Sequence, residues 1–320
     1  MPHTISRREF LAGTATALAA GPTLFAAESQ PEKTPRYLDF HVHLTHRWFG
    51  AERGPVTADV LLRWMDAHDV ERAAVLPLVS PEAFWYPVTS EFVITEAARH
   101  PDRLIPFCAI DPRTLGTHLP ETKQVVDMLN RYVDAGARGF GEHKALLDID
   151  DPLNMKLFEA CSAAKLPVLF HLDNRANMDK PGLPGLAKVL KTFPELVMIG
   201  HGKGWWASIA GGLAQPDLHV GYPAGPVAPG GAIDALMDRY PNLYGDLSSS
   251  GAHALLRDRE FGSAFLQRRA DRLLFGTDFY DLTQESFPQF DLFRTFDVEA
   301  KTREKIAHSN AARLLRLGVP

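Results

Sequence analysis

Residues 37–43 read YLDFHVH, and the fold is decided there. Apolar Leu38, Phe40 and Val42 alternate with Asp39, His41 and His43, the period of two of a β-strand with one packed face and one polar face. An amphipathic stretch follows in which Val60, Leu61, Trp64 and Met65 share a helical face. The same order recurs along the chain. Apolar runs predict further strands at RAAVLPLV (72–79), RLIPFCAI (103–110), ARGFGEH (137–143), LPVLFHL (166–172), LVMIGH (196–201), NLYGDL (242–247) and RLLFGTD (272–278). Between them, Leu186, Val189, Leu190 and Phe193 mark one helix, and Asp151-Pro152 supplies the N-cap and first-turn proline of another running through Leu157, Phe158 and Cys161. Eight such units within residues 37–320 predict a single-domain α/β fold, a (β/α)8 TIM barrel.

The 320 residues are 45% hydrophobic and 23% charged, the composition of a globular chain able to bury a sizeable core. A net charge of −5 without a long basic run argues against a nucleic-acid partner, which needs a clustered Lys/Arg face. Cys108 and Cys161 lie inside the apolar segments IPFCAID and LFEACSAA and read as small core residues, not as a disulfide or zinc knuckle. Residues 202–230 exceed an ordinary connection, and their tryptophans predict order. In a barrel such a loop lines the C-terminal face, where active sites are built.

Histidines concentrate at that face. His68, His100, His118 and His308 lie in or beside amphipathic helices and read as surface or cap residues. By contrast, His41 and His43 end the first strand, His171 the fifth and His201 the sixth, while Asp278 closes the eighth. Strand ends converge around a barrel axis, and imidazole with carboxylate suits zinc, or iron, manganese or nickel.

These segments resemble the amidohydrolase superfamily, in particular the amidohydrolase-related group that includes aminocarboxymuconate-semialdehyde decarboxylase. The resemblance spans residues 37–316 and is carried by LDFHVH, by His171 in LFHLD, by His201 in IGHGKG, by FGTD and by a closing helix with SNAARLL. It implies a divalent metal on His41, His43, His171 and Asp278, with His201 a second-metal ligand or a catalytic residue. Glu142, in GFGEHK at the end of strand four, departs from the decarboxylase pattern. Superfamily hydrolases with two metals often place a bridging carboxylate there, so Glu142 joins the candidate ligands. Alternation puts Phe140, Glu142 and Lys144 on one face and His143 on the other, and His143 becomes the rival ligand if the register slips by one. Asp39 reads as an internal support, whereas Asp246 and Ser248 to Ser250 read equally as substrate contacts or as a polar loop start.

The expected chemistry is hydrolysis of a small ester, lactone or amide, with an anionic substrate favoured. One or two divalent ions, zinc first, would activate water at neutral pH. Asp278 would manage the proton, and His201 or its metal would polarise the carbonyl. Lys144, Lys203, Arg175 and His253 offer positive charge to a small-molecule substrate, and Trp85, Tyr86, Trp205, Trp206 and Tyr222 offer flat apolar surface. The alternative is a metal-dependent non-oxidative decarboxylase of a small carboxylic acid, and the third reading is a non-enzymatic periplasmic metal or solute binder. A homo-oligomer is compatible with all three.

Residues 1–27 resemble a twin-arginine signal: SRREFL holds Arg7 and Arg8, and the weakly apolar run behind it is broken by Gly13, Gly21 and Pro22. Residues 28–36 then form a polar linker. The expectation is export to the periplasm or beyond, with no membrane association once the signal is removed. Replacing Arg7 and Arg8 with lysine should hold the protein inside the cell, as fractionation would show. Wild-type periplasmic recovery of that variant would refute the export assignment.

Overall fold

The computed structural model describes residues 36–46, 54–115, 121–220, 225–249 and 251–317, so the signal at 1–27, most of the linker, His118, Tyr222 and Ser250 lie outside the described residues. Seven of the eight apolar runs contain a strand and the second overlaps one that begins two residues earlier: β1 (Tyr37–Val42), β2 (Val70–Val75), β3 (Leu104–Pro106), β4 (Phe140–His143), β5 (Val168–His171), β6 (Met198–His201), β7 (Leu243–Asp246) and β8 (Leu273–Leu274). All pair in parallel and in sequence order, as β1-β2-β3 and as β4 through β8. Backbone bonds close the ring. Phe40 N–H donates to Phe275 O at 2.8 Å and Asp278 N–H to His41 O at 2.7 Å, while Cys108 N–H reaches Gly139 O at 3.0 Å and Gly141 N–H reaches Cys108 O at 2.9 Å.

Helices α1 (Ala58–Ala67), α2 (Ser90–Ala97), α3 (Thr122–Asp134), α4 (Pro152–Ala163) and α5 (Pro184–Thr192) follow the first five strands. Asp151 caps α4 as its sequence predicts, accepting from Leu153 N–H at 2.8 Å. After β6 come α6 (Lys203–Ala207), α7 (Asp217–Val220) and α8 (Ala232–Arg239), so the long 202–230 connection is partly helical. Beyond β7 lie α9 (Gly251–Leu256) and α10 (Arg259–Arg268); after β8 come α11 (Gln289–Thr295), α12 (Ala300–Glu304), a π turn (Lys305–Ser309) and α13 (Asn310–Leu314). Asn310 fixes this last helix to the barrel by donating to Ala270 O at 2.7 Å and Leu273 O at 2.9 Å.

Two apolar layers result. The larger lies between strands and helices and takes Val42, Val75, Cys108, Phe140, Val168, Phe170 and Met198 together with Leu61, Val93, Val125, Cys161 and Leu186. The smaller joins Leu38, Phe40, Ala74, Leu76, Ile105, Phe107, Leu169, Ile199 and Leu274 with Ala311 and Leu315. Side chains from six strands and none of α1 to α5 can meet only inside the barrel, so this cluster fills its lumen and α13 covers the end opposite the histidines.

This layering corrects two faces expected from strict alternation. Leu38 and Phe40 point into the lumen while Val42 points outward, because the register of β1 shifts between Asp39 and Val42. In β4, Phe140 faces outward and Glu142 inward across a second shift between Phe140 and His143. Gly141 permits it, at φ +135° with Leu169 O only 2.5 Å from where a Cβ would stand. His143 also points outward. Its Nε2–H donates to Asn154 Oδ1 at 2.9 Å, and its ring meets Phe158, so it is no rival ligand.

Burial pushes the His143 pKa down to about 4, against the Asn154 bond that would raise it. The unfolded chain takes this proton near pH 6.5, so its contribution is fully present above that pH and fades as pH falls towards about 4. The loss should reach about 3 kcal/mol. Denaturant midpoints between pH 7 and 4.5 should fall more steeply for the wild type than for His143→Gln; equal slopes would contradict this.

Candidate metal centre

The strand ends bring His41, His43, Glu142, His201, Asp246 and Asp278 together, all buried except half-buried Asp278. His43 Nδ1 lies 2.8 Å from Leu76 O, and a carbonyl can only accept, so Nδ1 carries the proton. His41 Nδ1 lies 2.7 Å from Asp246 Oδ2, which fixes the same tautomer. When both rings are neutral, both Nε2 atoms are lone-pair acceptors, and they face each other at 3.0 Å. Two such lone pairs repel unless positive charge lies between them.

Carboxylates complete the cage. Asp278 Oδ1 lies 3.6 Å from His41 Nε2 and 3.4 Å from His43 Nε2, and Glu142 Oε2 lies 3.8 and 3.6 Å from the same atoms. Ligand atoms around a tetrahedral ion at 2.0–2.2 Å stand about 3.4 Å apart, so these spacings suit one. Glu142 Oε2 is also a buried acceptor without an aligned hydrogen-bond donor. Lys144 Nζ is 2.6 Å away and supplies charge, but not along a hydrogen-bond direction. Among the described residues two acid–histidine groups have the spacing to hold a metal ion: His41 with His43 and Asp278, and His41 with Glu142 and His201.

In the absence of a cation, the ring of His41 supplies part of that positive charge itself. Burial opposes a proton on His41, but the charges of Asp278, Asp246 and Glu142 outweigh it and raise its pKa well above the ordinary value. Glu142 stays ionised well below the usual carboxylate range against burial, through Lys144 and the His171 hydrogen bond. Asp278 is likewise lowered against burial by His41 and His43. His201 goes the other way: burial, and then the charge of His41, lower its pKa and keep the ring neutral.

Asp246 and Ser248 organise this cluster from below. Ser248 Oγ–H donates to Asp246 Oδ2 at 2.6 Å, and His201 Nδ1 lies 2.9 Å from Ser248 Oγ and 3.1 Å from Asp246 Oδ2. His201 therefore turns Nε2 towards the mouth, 3.5 Å from Glu142 Oε1 and 3.9 Å from Asp278 Oδ2. Asp39 takes the supporting place expected of it. It accepts from His41 N–H and Thr277 N–H, both at 3.0 Å, and from Thr277 Oγ1 at 2.6 Å, so it clamps β1 to the segment carrying Asp278.

His171 stands one step back. Its Nδ1 is 2.7 Å from Glu142 Oε1 and its Nε2 is 2.9 Å from Asp173 Oδ2, so both nitrogens face carboxylates. Gly202, at φ +96°, leaves room for the ring: a Cβ there would lie 2.6 Å from His171 Cδ2. Asp173 was not singled out from the sequence, although its place two residues after His171 was a usable signal. Of the expected substrate contacts, Lys144 is directed at Glu142, and Lys203 and His253 are exposed on α6 and α9 outside the cluster. Trp205 and Trp206 are corrected to wall residues. Trp205 packs on Gly200 and Phe170, and Trp206 donates Nε1–H to Asp246 O at 2.8 Å; both are fully buried.

Asp246→Asn should weaken metal binding by roughly 10–100-fold, since a carboxamide orients the two imidazoles poorly. A zinc titration of the folded variant checks this; wild-type affinity would show that Asp246 is dispensable.

Solved structures with this fold include an uncharacterized TIM-barrel protein from Bordetella bronchiseptica, 19% identical, covering 88% of this chain and 98% of that one with a TM-score of 0.60. A probable 2-pyrone-4,6-dicarboxylic acid hydrolase from Acinetobacter baumannii, with citric acid bound, is 14% identical over 88% of this chain and 100% of that one at a TM-score of 0.59. A dihydroxybenzoic acid decarboxylase from Polaromonas sp. JS666, with manganese and the inhibitor 2-nitroresorcinol, is 19% identical over 89% and 98% at a TM-score of 0.54. A search of curated proteins gave no match. The model of the family described as Amidohydrolase matches residues 38–317, nearly the whole described barrel, and the chain belongs to that family.

Proposed function

We propose that this enzyme of the amidohydrolase superfamily is a metal-dependent hydrolase of a small, anionic ester, lactone or amide. The observation that carries the reading is the pair of Nε2 lone pairs of His41 and His43, locked 3.0 Å apart between the carboxylates of Glu142 and Asp278. His41, His43 and Asp278 would hold the ion, with the Glu142 carboxylate beside it. The donor set suits zinc, which we place first, and also manganese. When bound, a divalent ion supplies Lewis-acid polarisation and makes water more acidic.

The chain's own groups then divide the proton work. His201, kept neutral and backed through Nδ1 by Asp246 and Ser248, has its Nε2 lone pair turned towards Asp278 and can accept a proton there. Asp278, half-buried, is the ligand nearest to solvent and can hold or return the proton at Oδ2. The four exposed large apolar side chains among the described residues, Trp85, Leu146, Tyr280 and Leu282, all belong to loops after β2, β4 and β8. They give the mouth an apolar rim that supports a flat or ring-bearing substrate.

Decarboxylation of a small carboxylic acid is the second reading, favoured by the decarboxylases among proteins of the same fold. The residues that would hold the ion would present it to the substrate carboxylate, and His201 would manage the proton. We also propose a periplasmic site of action, resting on SRREFL. No helix among the described residues is long and apolar enough to cross a membrane.

The test is chelation followed by zinc restoration, assayed on lactones, esters and aromatic or muconate-type acids. Zinc-dependent product without CO2 release is the expected result, and His201→Ala should lower the rate roughly 10²–10⁴-fold. Metal-dependent CO2 release would replace hydrolase with decarboxylase. A His41→Ala/His43→Ala chain that keeps a full equivalent of metal would remove the site assignment altogether.

A further inference from the structure

We propose that Lys144 is a built-in cation of this centre, whose ammonium holds the place of a second metal ion and fixes the stoichiometry at one ion per chain. The inference rests on reading His41, His43 and Asp278 as a cation site. The two groups able to hold an ion overlap at His41, and one imidazole nitrogen serves one ion. Once His41 is used with His43 and Asp278, a second ion would depend on Glu142 and His201.

Glu142 is where that second ion is refused. Its Oε1 is held by His171 Nδ1 at 2.7 Å, and its Oε2 lies 2.6 Å from Lys144 Nζ. Glu142 and Lys144 are two residues apart at the end of β4, so both leave the strand towards the mouth while His143 packs outward against α4. A surface lysine would swing into water when a metal arrived. Lys144 has only 15% of its side chain exposed and its partner 1%, so the ammonium stays beside the carboxylate. Charge so placed repels a second divalent ion with little screening from solvent. It also neutralises the carboxylate that would otherwise call for that ion.

Chelator-stripped protein loaded with excess Zn2+, dialysed and analysed for zinc, tests this directly. The wild type and Lys144→Arg should hold one equivalent, Lys144→Met two, and Glu142→Gln/Lys144→Met one again. A wild type with two equivalents, or a folded Lys144→Met with one, overturns the role of Lys144. A wild type with none overturns the cation site itself. If Lys144→Met does not fold, calorimetric titration of Lys144→Gln with Zn2+ decides: two binding steps support the proposal, and one step overturns it.

Discussion

The carboxylate of Asp246 lies 2.7 Å from His41 Nδ1, 3.1 Å from His201 Nδ1 and 2.6 Å from Ser248 Oγ. Because an ionised carboxylate only accepts, both imidazoles must carry a proton on Nδ1, and both Nε2 atoms must point into the mouth. Strand order makes this possible. β6 and β7 are neighbours, which places Asp246 directly beside His201, and β1 meets β8 on the far side of β7, which brings His41 within reach. The barrel thus converts three positions distant in sequence into one hydrogen-bonded unit.

That arrangement concentrates negative charge. Glu142, Asp246 and Asp278 all stay ionised although burial works against each of them. A buried charge persists only when it is paired or bound to a metal. Histidines and Lys144 provide part of the compensation, and the unaligned Glu142 Oε2 together with the facing Nε2 atoms marks where it is incomplete. A divalent cation is the simplest group that satisfies all of these atoms at once.

Much of this was legible in the sequence because strand ends are easy to read and a barrel assigns them one location. VLFH, MIGH and YGD each end an observed strand on a polar residue, and in YLDFHVH His43 directly follows β1. The inward turn of Glu142 was also legible, but the reason for it was not. Period-two reasoning placed Phe140 on the same face, and the register shift at Gly141 separates them. In β1 the comparable shift leaves no glycine signal, so Leu38 and Phe40 gave no hint that they fill the lumen. The tryptophans failed for a different reason: a large aromatic in a long loop reads alike whether it faces substrate or folds back on a strand, and Gly200 is what lets Trp205 fold back. Asp173 escaped notice because its role exists only through His171.

The same features explain why the site sits above such a rigid floor. Like-charged side chains held within a few ångströms favour any motion that separates them, and the strand ends must resist it. Phe40 and Phe107 meet edge to face within the lumen cluster with centroids 5.5 Å apart, and Leu169 and Ile199 lie two residues below His171 and His201 on their strands. Asp39 adds a hydrogen-bonded tie between β1 and Thr277, the residue before Asp278. Packing at this density resists displacement even by a methylene. The apolar lumen is therefore part of the functional apparatus: it holds apart from solvent, and close to one another, groups that would separate on a softer support.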